Sequence, residues 1–502
     1  MNCKEYLVLR FHQELITQKT SNLIEEGNKS FLWGCKCRSG KTYMVGGIVT
    51  KQFSVKNKLN VLIITPAPTE TAPQFTDELF NKFKDFDNFK IHHIEGSIMI
   101  NNIETTENNI FVMSKQLLQK YINEKTILLI KNLKLDIIAF DENHFSGTTN
   151  LSKDILKSYS SKNTVKIFLT ATYNKPLKEW NIIPECQMFW DIEDEQLCKN
   201  LINSNNLINS NLRIEDSGKN LINLINSSQA DHLERLKEKH GVEYINKTIK
   251  YYTDLGLTFN DIFSCYERMP DLHLITNLFD QQRYEIIKER LDKSNSKMGF
   301  CFDTLLGLNK AKTKFSYENE VKTILRYISG SQKEDGEKTI FTRINNICSE
   351  KETRLPTTQI WFLPTDNINK VSLCLKKLIL QDKVLKKYDI LCINRSSKEK
   401  QDKLPKDIKD EINKKEIEAK EKGQLGLILL AGNMLNLGIT LNLCDLVILM
   451  NNTLSSDKVL QQMYRCMTEG ENKKIGFVVD MNISRVLNTC INYTVYKNNK
   501  YR

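Results

Sequence analysis

A short polar run near the start of the chain has the residues of a phosphate-binding loop. The run reads Cys35-Lys36-Cys37-Arg38-Ser39-Gly40-Lys41-Thr42 and precedes a predicted helix. A loop that opens a helix directs backbone N–H groups and the positive end of the helix dipole at an anion. Gly40 permits an unusual backbone, Lys41 can reach the β- and γ-phosphates, and Thr42 can ligate Mg²⁺. The same Gly-Lys-Thr triplet can also simply begin a helix. Other residues must therefore distinguish a nucleotide site from an ordinary helix start.

An acidic pair about a hundred residues later supplies the other groups that phosphate-anhydride hydrolysis needs. Asp141 and Glu142 directly follow an apolar run that predicts a buried strand. One carboxylate can hold Mg²⁺, and its neighbour can polarise the attacking water. His144 could relay the state of the γ-phosphate to neighbouring groups. An isolated acidic pair is commonly a surface turn, but its place after a strand favours a functional role.

Two further polar residues could contact a nucleotide. Gln13 precedes the loop by about two dozen residues, and its amide could hydrogen-bond an adenine edge. Near the other end, residues 457–467 predict a helix that carries Gln461 and Arg465 on one face. Arg465 could stabilise the charge of a transition state. The alternatives are an ordinary helix residue for Gln13 and a surface ion pair for Arg465.

Short apolar runs alternate with helical patterns in the first and last thirds of the chain, which is typical of parallel sheets. The predicted strands are 31–34, 59–65, 110–113, 135–140, 165–169, 358–364, 388–393, 427–432, 446–450 and 476–480. Ligands of such sheets bind at the carboxyl ends of the strands, where the polar residues above fall. We therefore predict an α/β protein with one parallel-sheet lobe at 1–190 and a second at 357–502.

The stretch between the lobes, 191–356, has a different composition. The triplet Leu-Ile-Asn recurs four times between residues 201 and 226, and helical patterns follow at 231–240 and 281–292. We predict a mainly helical insertion, with a segment that contacts substrate as the alternative. A later stretch, 398–422, is dense in both signs of charge and predicts a solvated helix.

Composition limits the class of protein. The chain has 502 residues, of which 40% are hydrophobic and 26% charged, as in soluble proteins of two or three domains. It has no apolar run long enough to span a membrane and no signal-peptide core, so we expect neither a membrane protein nor a secreted one. Its 13 cysteines form no C-x-x-C pair, which argues against a zinc site or disulfide framework. The net charge of +11 permits a polyanionic partner.

Together these residues resemble superfamily 2 helicase-type ATPases of the DExH class, over 1–190 and 356–485. The matching elements are Leu9–Gln13 (ahead of motif I), Cys35–Thr42 (I), Thr65–Ala67 (Ia), Asp141–His144 (II), Thr170–Thr172 (III), Gly438–Leu441 (V) and Gln461–Arg465 (VI). Two stretches, Ile167–Pro176 and Gln462–Glu469, look most like helicase-type proteins of large nucleocytoplasmic DNA viruses.

The resemblance implies two RecA-like lobes, with ATP and Mg²⁺ in the cleft between them and DNA or RNA lying across both. It implies roles for the following residues: Gln13, Arg38, Ser39, Gly40, Lys41, Thr42, Gly438 and Gln461 at the nucleotide, Thr42 and Asp141 at Mg²⁺, Glu142 at the attacking water, His144, Thr170 and Thr172 in coupling, and Arg465 as the arginine finger. The expected activity is nucleic-acid-dependent ATP hydrolysis by a helicase or translocase.

The sequence departs from the family pattern at two places. Motif VI usually has a glycine before its first arginine and a second arginine three residues after it, where this chain has Tyr464 and Thr468. One cation then stands where the family uses two, so turnover could be slow, or another arginine could substitute. In motif I, Cys35 replaces the first glycine, and Gly34 beside it could supply the turn.

Two other functions are compatible with the same residues. The chain could be a catalytically weak, nucleic-acid-binding scaffold subunit that holds ATP without turning it over. It could also be the motor part of a restriction-type or transcription-associated complex. If the chain is viral, the resemblance implies viral transcription or replication proteins as partners, and the cytoplasm, a viral factory or the virion as its location.

Overall fold

The chain divides into two compact units, Met1–Glu267 and Arg268–Arg502, each built on a sheet of its own. The computed structural model describes residues 4–36, 38–66, 71–94, 107–123, 134–141, 150–171, 173–209, 232–276, 301–331, 339–393, 405–432, 435, 441, 443–482 and 485–486. No helix in these ranges is both long enough and apolar enough to cross a membrane.

The first unit contains a seven-stranded sheet in which every pairing is parallel. Its strands are β1 (Ser30–Cys35), β2 (Asn60–Thr65), β3 (Lys90–Ile94), β4 (Asn109–Ser114), β5 (Ile137–Phe140), β6 (Val165–Thr170) and β7 (Gln187–Trp190), in the spatial order β3-β4-β2-β5-β6-β1-β7. The central strands are almost wholly apolar and buried, because a parallel sheet is covered on both faces.

Helices connect these strands and cover the sheet. They are Phe11–Glu25, Lys41–Lys56, Ala72–Phe75, Lys115–Asn123, Asn150–Tyr159, Asn174–Glu179, Ile192–Asn209, 232–240, Val242–Asp254 and Phe259–Phe263. Short turns of tighter or wider helix occur at Thr76–Phe80, Lys84–Phe86, Pro184–Cys186 and Ser264–Tyr266.

The register of the first sheet brings three separate stretches of the chain to one edge. Gly34 pairs with Thr170, and Phe140 pairs with Phe168, so β6 lies between β1 and β5. All three strands run in the same direction, and their carboxyl ends therefore meet. Neighbouring strands lie about 4.8 Å apart, which places the ends of β1 and β5 about 10 Å from each other across the sheet.

The second unit contains a six-stranded sheet that is also entirely parallel. Its strands are β8 (Asp271–Ile275), β9 (Thr358–Phe362), β10 (Tyr388–Ile393), β11 (Gly426–Ala431), β12 (Leu446–Leu449) and β13 (Ile475–Asp480), in the order β10-β11-β9-β12-β13-β8. Its helices are Phe302–Leu305, Glu318–Ser329, Ile340–Glu350, Ile368–Ile379, Pro405–Glu421 and Ser456–Met463, with short turns at Leu385–Lys387 and Tyr464–Cys466. The predicted α/β architecture of two parallel sheets is confirmed.

In the stretch 191–356, the described residues are largely helical, and contacts divide the stretch between the two units. Its first part belongs to the first unit, where the Tyr252 hydroxyl donates to the Leu9 carbonyl at 2.6 Å. Its later part belongs to the second unit and supplies β8, which pairs with β13. The predicted helical segment 281–292 lies outside the described residues.

A buried aspartate ties the amino ends of two strands in the second sheet. Asp445, directly before β12, pairs with the Arg354 guanidinium at 2.5 Å. Its other oxygen accepts the backbone N–H groups of Thr357 and Thr358, at the start of β9, at 2.9 and 3.2 Å. The carboxylate thereby satisfies backbone donors and neutralises a cation at the same point.

Asp445→Asn should destabilise the second unit by about 3 kcal/mol, because the substitution leaves the guanidinium without its charge partner in a largely buried place. Chemical denaturation would measure the loss. The matched control is Glu107→Gln, which removes a carboxylate from the exposed pair with Lys58 and should cost little. An equal, small effect of both substitutions would contradict this assignment.

Candidate functional site

The phosphate loop, residues 35–42, joins the carboxyl end of β1 to the helix Lys41–Lys56. Arg38 and Gly40 both have left-handed backbones, with φ of 67° and 74°. A Cβ atom at Gly40 would lie 2.3 Å from Gln13 Nε2, so the position accepts only glycine without rearrangement. This tight turn lets the loop open a sixteen-residue helix with its N–H groups facing outward from the strand end.

Two side chains of the loop fit an anionic ligand. The Lys41 ammonium donates to the carbonyls of Cys35 and Lys36 at 3.2 and 3.3 Å, so it lies over the loop itself. The Ser39 hydroxyl is buried and has no hydrogen-bond partner among the described residues. Since buried polar groups are nearly always paired, an unpaired hydroxyl here fits a site completed by a ligand.

The Ser39 carbonyl is held by two residues that precede the loop in sequence. Gln13 Nε2 donates to it at 3.0 Å, and His12 Nε2 lies 2.7 Å from it. Gln13 Oε1 in turn accepts the Arg10 N–H at 2.9 Å. The structure therefore shows Gln13 as a support of the loop. Its predicted adenine contact, which the second N–H of the amide could make, stays a prediction.

His12 is a neutral imidazole with a defined tautomer. The Ser39 carbonyl can only accept, so Nε2 carries the proton, and Nδ1 accepts from the Tyr266 hydroxyl at 2.5 Å. The Tyr266 oxygen also accepts the His12 backbone N–H at 3.1 Å. The imidazole stacks on Trp190, with ring centroids 4.9 Å apart. Burial lowers the pKa of His12 to about 3. Sequence analysis missed His12, whose position next to Gln13 was the only available signal.

Asp141 and Thr170 lie at the same edge of the sheet as the phosphate loop. Asp141 follows β5, is partly buried and donates its N–H to the Ile64 carbonyl at 2.9 Å. Thr170 ends β6, the strand between β5 and β1, and is fully buried. Thr42 is the second residue of the helix that follows the loop. The oxygen-bearing side chains of Thr42 and Asp141 are of the type that Mg²⁺ prefers.

Four predicted site residues, Glu142, His144, Thr172 and Gly438, lie outside the described residues. The predicted helix 457–467 is shorter than expected, because the α-helix ends at Met463 and a tight turn, Tyr464–Cys466, follows. Gln461 and Arg465 therefore do not share one continuous helix. Gln461 is buried and Arg465 half-buried, and their roles at a nucleotide stay predictions.

Thr468 stands where the family has its second motif VI arginine, and its side chain is committed to the core of the second unit. Its hydroxyl accepts the Cys444 N–H and donates to the Cys444 carbonyl, both at 3.1 Å. The buried Lys473 ammonium donates to the Thr468 carbonyl at 2.6 Å and to its hydroxyl at 3.0 Å. Burial lowers the pKa of Lys473. Thr468 therefore closes a structural turn.

Arg485 does not replace the missing cation. Its guanidinium is buried and pairs with both carboxylate oxygens of Asp480 at 2.7 Å. The remaining donors go to the backbone carbonyls of Leu449, Asn451 and Thr453. All of these partners lie within or just after β12 and β13, so Arg485 holds strand ends together.

Residues 6–175 match the model of the family described as type III restriction enzyme, res subunit. The match includes the phosphate loop, Asp141 and the strands from β1 to β6. The search of curated proteins finds no match.

A solved structure shares the fold over nearly the whole chain. An ATP-dependent type ISP restriction-modification enzyme, LlaBIII, bound to DNA, has a TM-score of 0.53 and 12% identity over 95% of this chain. This chain spans only 28% of that enzyme. A fragment of a putative HsdR subunit of a type I restriction enzyme from Vibrio vulnificus YJ016 has 13% identity over 97% of this chain and 66% of its own, with a TM-score of 0.47, too low to support a conclusion. The family match and the shared fold support the resemblance to helicase-type ATPases.

Acid should destabilise the first unit through His12. Its usual pKa of 6.5 is lowered to about 3 in the folded chain, so between these values the unfolded chain binds a proton that the folded chain excludes. The free energy of unfolding is therefore fully present above pH 6.5 and falls as the pH drops, by up to about 1.4 kcal/mol per pH unit. Urea denaturation of the wild type and of His12→Gln between pH 7.5 and 4.5 would isolate this effect. Parallel pH curves of the two proteins would contradict it.

Replacing Thr468 by arginine should not restore a family-like motif VI. Thr468→Arg should destabilise the second unit by about 3 kcal/mol or more, since a guanidinium would enter a packed site beside the Lys473 ammonium. Thr468→Ser, which keeps the hydroxyl, is the control and should be close to wild type. Thermal unfolding measures the effect. A stable Thr468→Arg protein with faster ATP turnover would show that the side chain reaches the nucleotide.

Proposed function

We propose that the chain is a nucleic-acid-dependent ATPase that acts as a helicase or translocase. The observation that carries this proposal is the common edge of β1, β6 and β5, which brings together the phosphate loop, Thr170 and Asp141. A phosphate cradle beside a carboxylate at the carboxyl ends of parallel strands is the arrangement that nucleotide hydrolysis needs. The family match over 6–175 supports the same function.

The chemistry assigned to this edge is positioning and charge stabilisation. Lys41 leaves the carbonyls of Cys35 and Lys36 and pairs with the β- and γ-phosphates, while the loop N–H groups and the Ser39 hydroxyl bind phosphate oxygens. Thr42 and Asp141 hold Mg²⁺, which neutralises charge on the phosphate oxygens when bound. Glu142 orients the attacking water.

Three further residues are proposed to connect hydrolysis with movement. Thr170 and Thr172, at and beyond the end of β6, report the state of the phosphates to the nucleic-acid surface, together with His144. Arg465 serves as the arginine finger, and Gly438 and Gln461 contact the nucleotide. With Thr468 and Arg485 committed to structural contacts, Arg465 is the cation of motif VI on which turnover depends.

A second candidate function is the motor part of a restriction-type complex. The matching family is described as a restriction subunit, and the DNA-bound enzyme with the same fold is more than three times as long as this chain, which spans 28% of it. Such a motor would need partner modules for cleavage and sequence recognition. We take DNA as the first nucleic-acid substrate to test, and RNA as the second. Ile167–Pro176 and Gln462–Glu469 support the narrower proposal of a viral helicase-type protein with viral transcription or replication partners.

Phosphate release from ATP with Mg²⁺ tests the function directly. We expect activity that single- or double-stranded DNA, or RNA, stimulates, and a loss of about a hundredfold or more in Lys41→Ala and Glu142→Gln, because each removes a group that acts on the transferred phosphate. Lys56→Ala, at the other end of the same helix as Lys41, is the matched lysine control and should stay close to wild type.

The salt dependence of nucleic-acid binding supplies a second criterion. Affinity should fall steeply with salt, because phosphate contacts release counterions. If the protein binds ATP tightly but does not hydrolyse it with any of the polymers present, the helicase or translocase proposal is rejected. The scaffold subunit that holds ATP without turnover then remains. Polymer binding that does not change with salt would reject the proposal that the protein binds nucleic acid through phosphate contacts.

A further inference from the structure

Lys36, the phosphate-loop residue directly after β1, is anchored to a helix far downstream in sequence. The Lys36 ammonium pairs with Glu195 Oε2 at 2.7 Å, and the two side chains are 4% and 2% exposed. Lys36 also donates its backbone N–H to the Trp190 carbonyl, at the end of β7, at 2.8 Å. Both partners belong to the segment 187–209, beyond the residues that the family model matches.

The other side of the loop is supported from a second downstream segment. Tyr266 donates to His12 Nδ1 and accepts the His12 N–H, which fixes the ring so that Nε2–H points at the Ser39 carbonyl. Tyr266 is fully buried, as is His12. It lies in the turn Ser264–Tyr266, which is also beyond the matched residues.

We infer that Glu195 and Tyr266 are positioning residues of the nucleotide site, which hold the phosphate loop in its anion-binding shape through Lys36 and His12. The inference rests on the proposed nucleotide-binding role of that loop. It extends the working site to two residues, Glu195 and Tyr266, that lie beyond the stretch matched by the family model. Neither residue is proposed to touch the nucleotide.

Each support acts on a loop residue that contacts or carries a group proposed to bind phosphate. Glu195 anchors the side chain of Lys36. The carbonyl of Lys36 in turn accepts a hydrogen bond from the Lys41 ammonium. Ser39, whose carbonyl His12 holds, carries the buried hydroxyl that has no partner among the described residues. A shift of either anchor therefore displaces a group that must meet the phosphates within a fraction of an ångström.

The charge arrangement favours Lys41 as the phosphate ligand. Glu195 neutralises Lys36, so this second ammonium of the loop does not compete for the anion. Burial raises the pKa of Glu195, and the nearby Lys36 charge opposes that rise. Oε1 of Glu195 has no hydrogen-bond partner in the described part of the chain, so the carboxylate is held mainly by Lys36.

Removal of the Tyr266 hydroxyl has a specific consequence for the loop. Without the donor at Nδ1, the other tautomer of His12 becomes accessible, and its Nε2 lone pair would face the Ser39 carbonyl. Two acceptors then oppose each other, and the loop moves away from the imidazole. Tyr266→Phe keeps the ring and its packing, so it removes the hydrogen bonds and little else.

The test compares Glu195→Gln and Tyr266→Phe with the wild type in the full chain. We expect the Kd for ATP to rise about tenfold in each variant and the ATP-induced increase in Tm to shrink accordingly. Amide hydrogen exchange in the loop peptide 35–41, measured without ATP, should become faster in both. The matched control is Asp445→Asn, which breaks a buried pair in the other unit and should lower Tm while leaving the Kd and the ATP-induced increase unchanged.

Three outcomes separate the inference from the proposed function. A wild type that binds ATP, with variants within twofold of its Kd and with unchanged loop exchange, overturns the inference alone. A rise in Kd that Asp445→Asn shows equally also overturns it, because the effect would then be general destabilisation. A wild type that does not bind ATP overturns the proposed function, and loop exchange still decides whether Glu195 and Tyr266 hold the loop.

Discussion

The carbonyl oxygen of Ser39 is the point on which the candidate site depends. It accepts hydrogen bonds from His12 and Gln13, two neighbours on the first helix, and it belongs to the residue before the left-handed Gly40. A glycine turn alone leaves the backbone free to adopt many conformations. The two donors restrict that freedom at Ser39, directly before the Gly40 cap of the helix Lys41–Lys56.

Parallel strand pairing supplies the second constraint. Because β6 lies between β1 and β5, the groups at the ends of these strands share an edge although more than a hundred residues separate Gly40 from Thr170. The second sheet is also entirely parallel, but several polar residues near its strand ends form structural hydrogen bonds. Thr468, Lys473 and Arg485 satisfy buried carbonyls and carboxylates there, so these side chains serve the stability of that unit.

Much of the fold was predictable because parallel strands are apolar, β-branched and regularly spaced, and the predicted strands of both sheets occur as expected. Boundaries were less predictable. The helix predicted at 457–467 ends at Met463, since Tyr464–Cys466 form a tight turn and the hydroxyl of Thr468, two residues further on, is bonded to Cys444. The sequence carries no local signal for that contact, which joins two residues outside the strands, 24 positions apart in the chain.

The parallel α/β class and the residues of the phosphate loop could be predicted from the chain alone, because strand periodicity and the Gly-Lys-Thr triplet are local properties. The sequence also marked Asp141, through its place after an apolar run. The contacts by which Glu195 and Tyr266 reach the loop are visible in the folded chain alone. Their contacts with Lys36 and His12 span 159 and 254 residues and depend on how helices pack around the sheet, which no local pattern encodes.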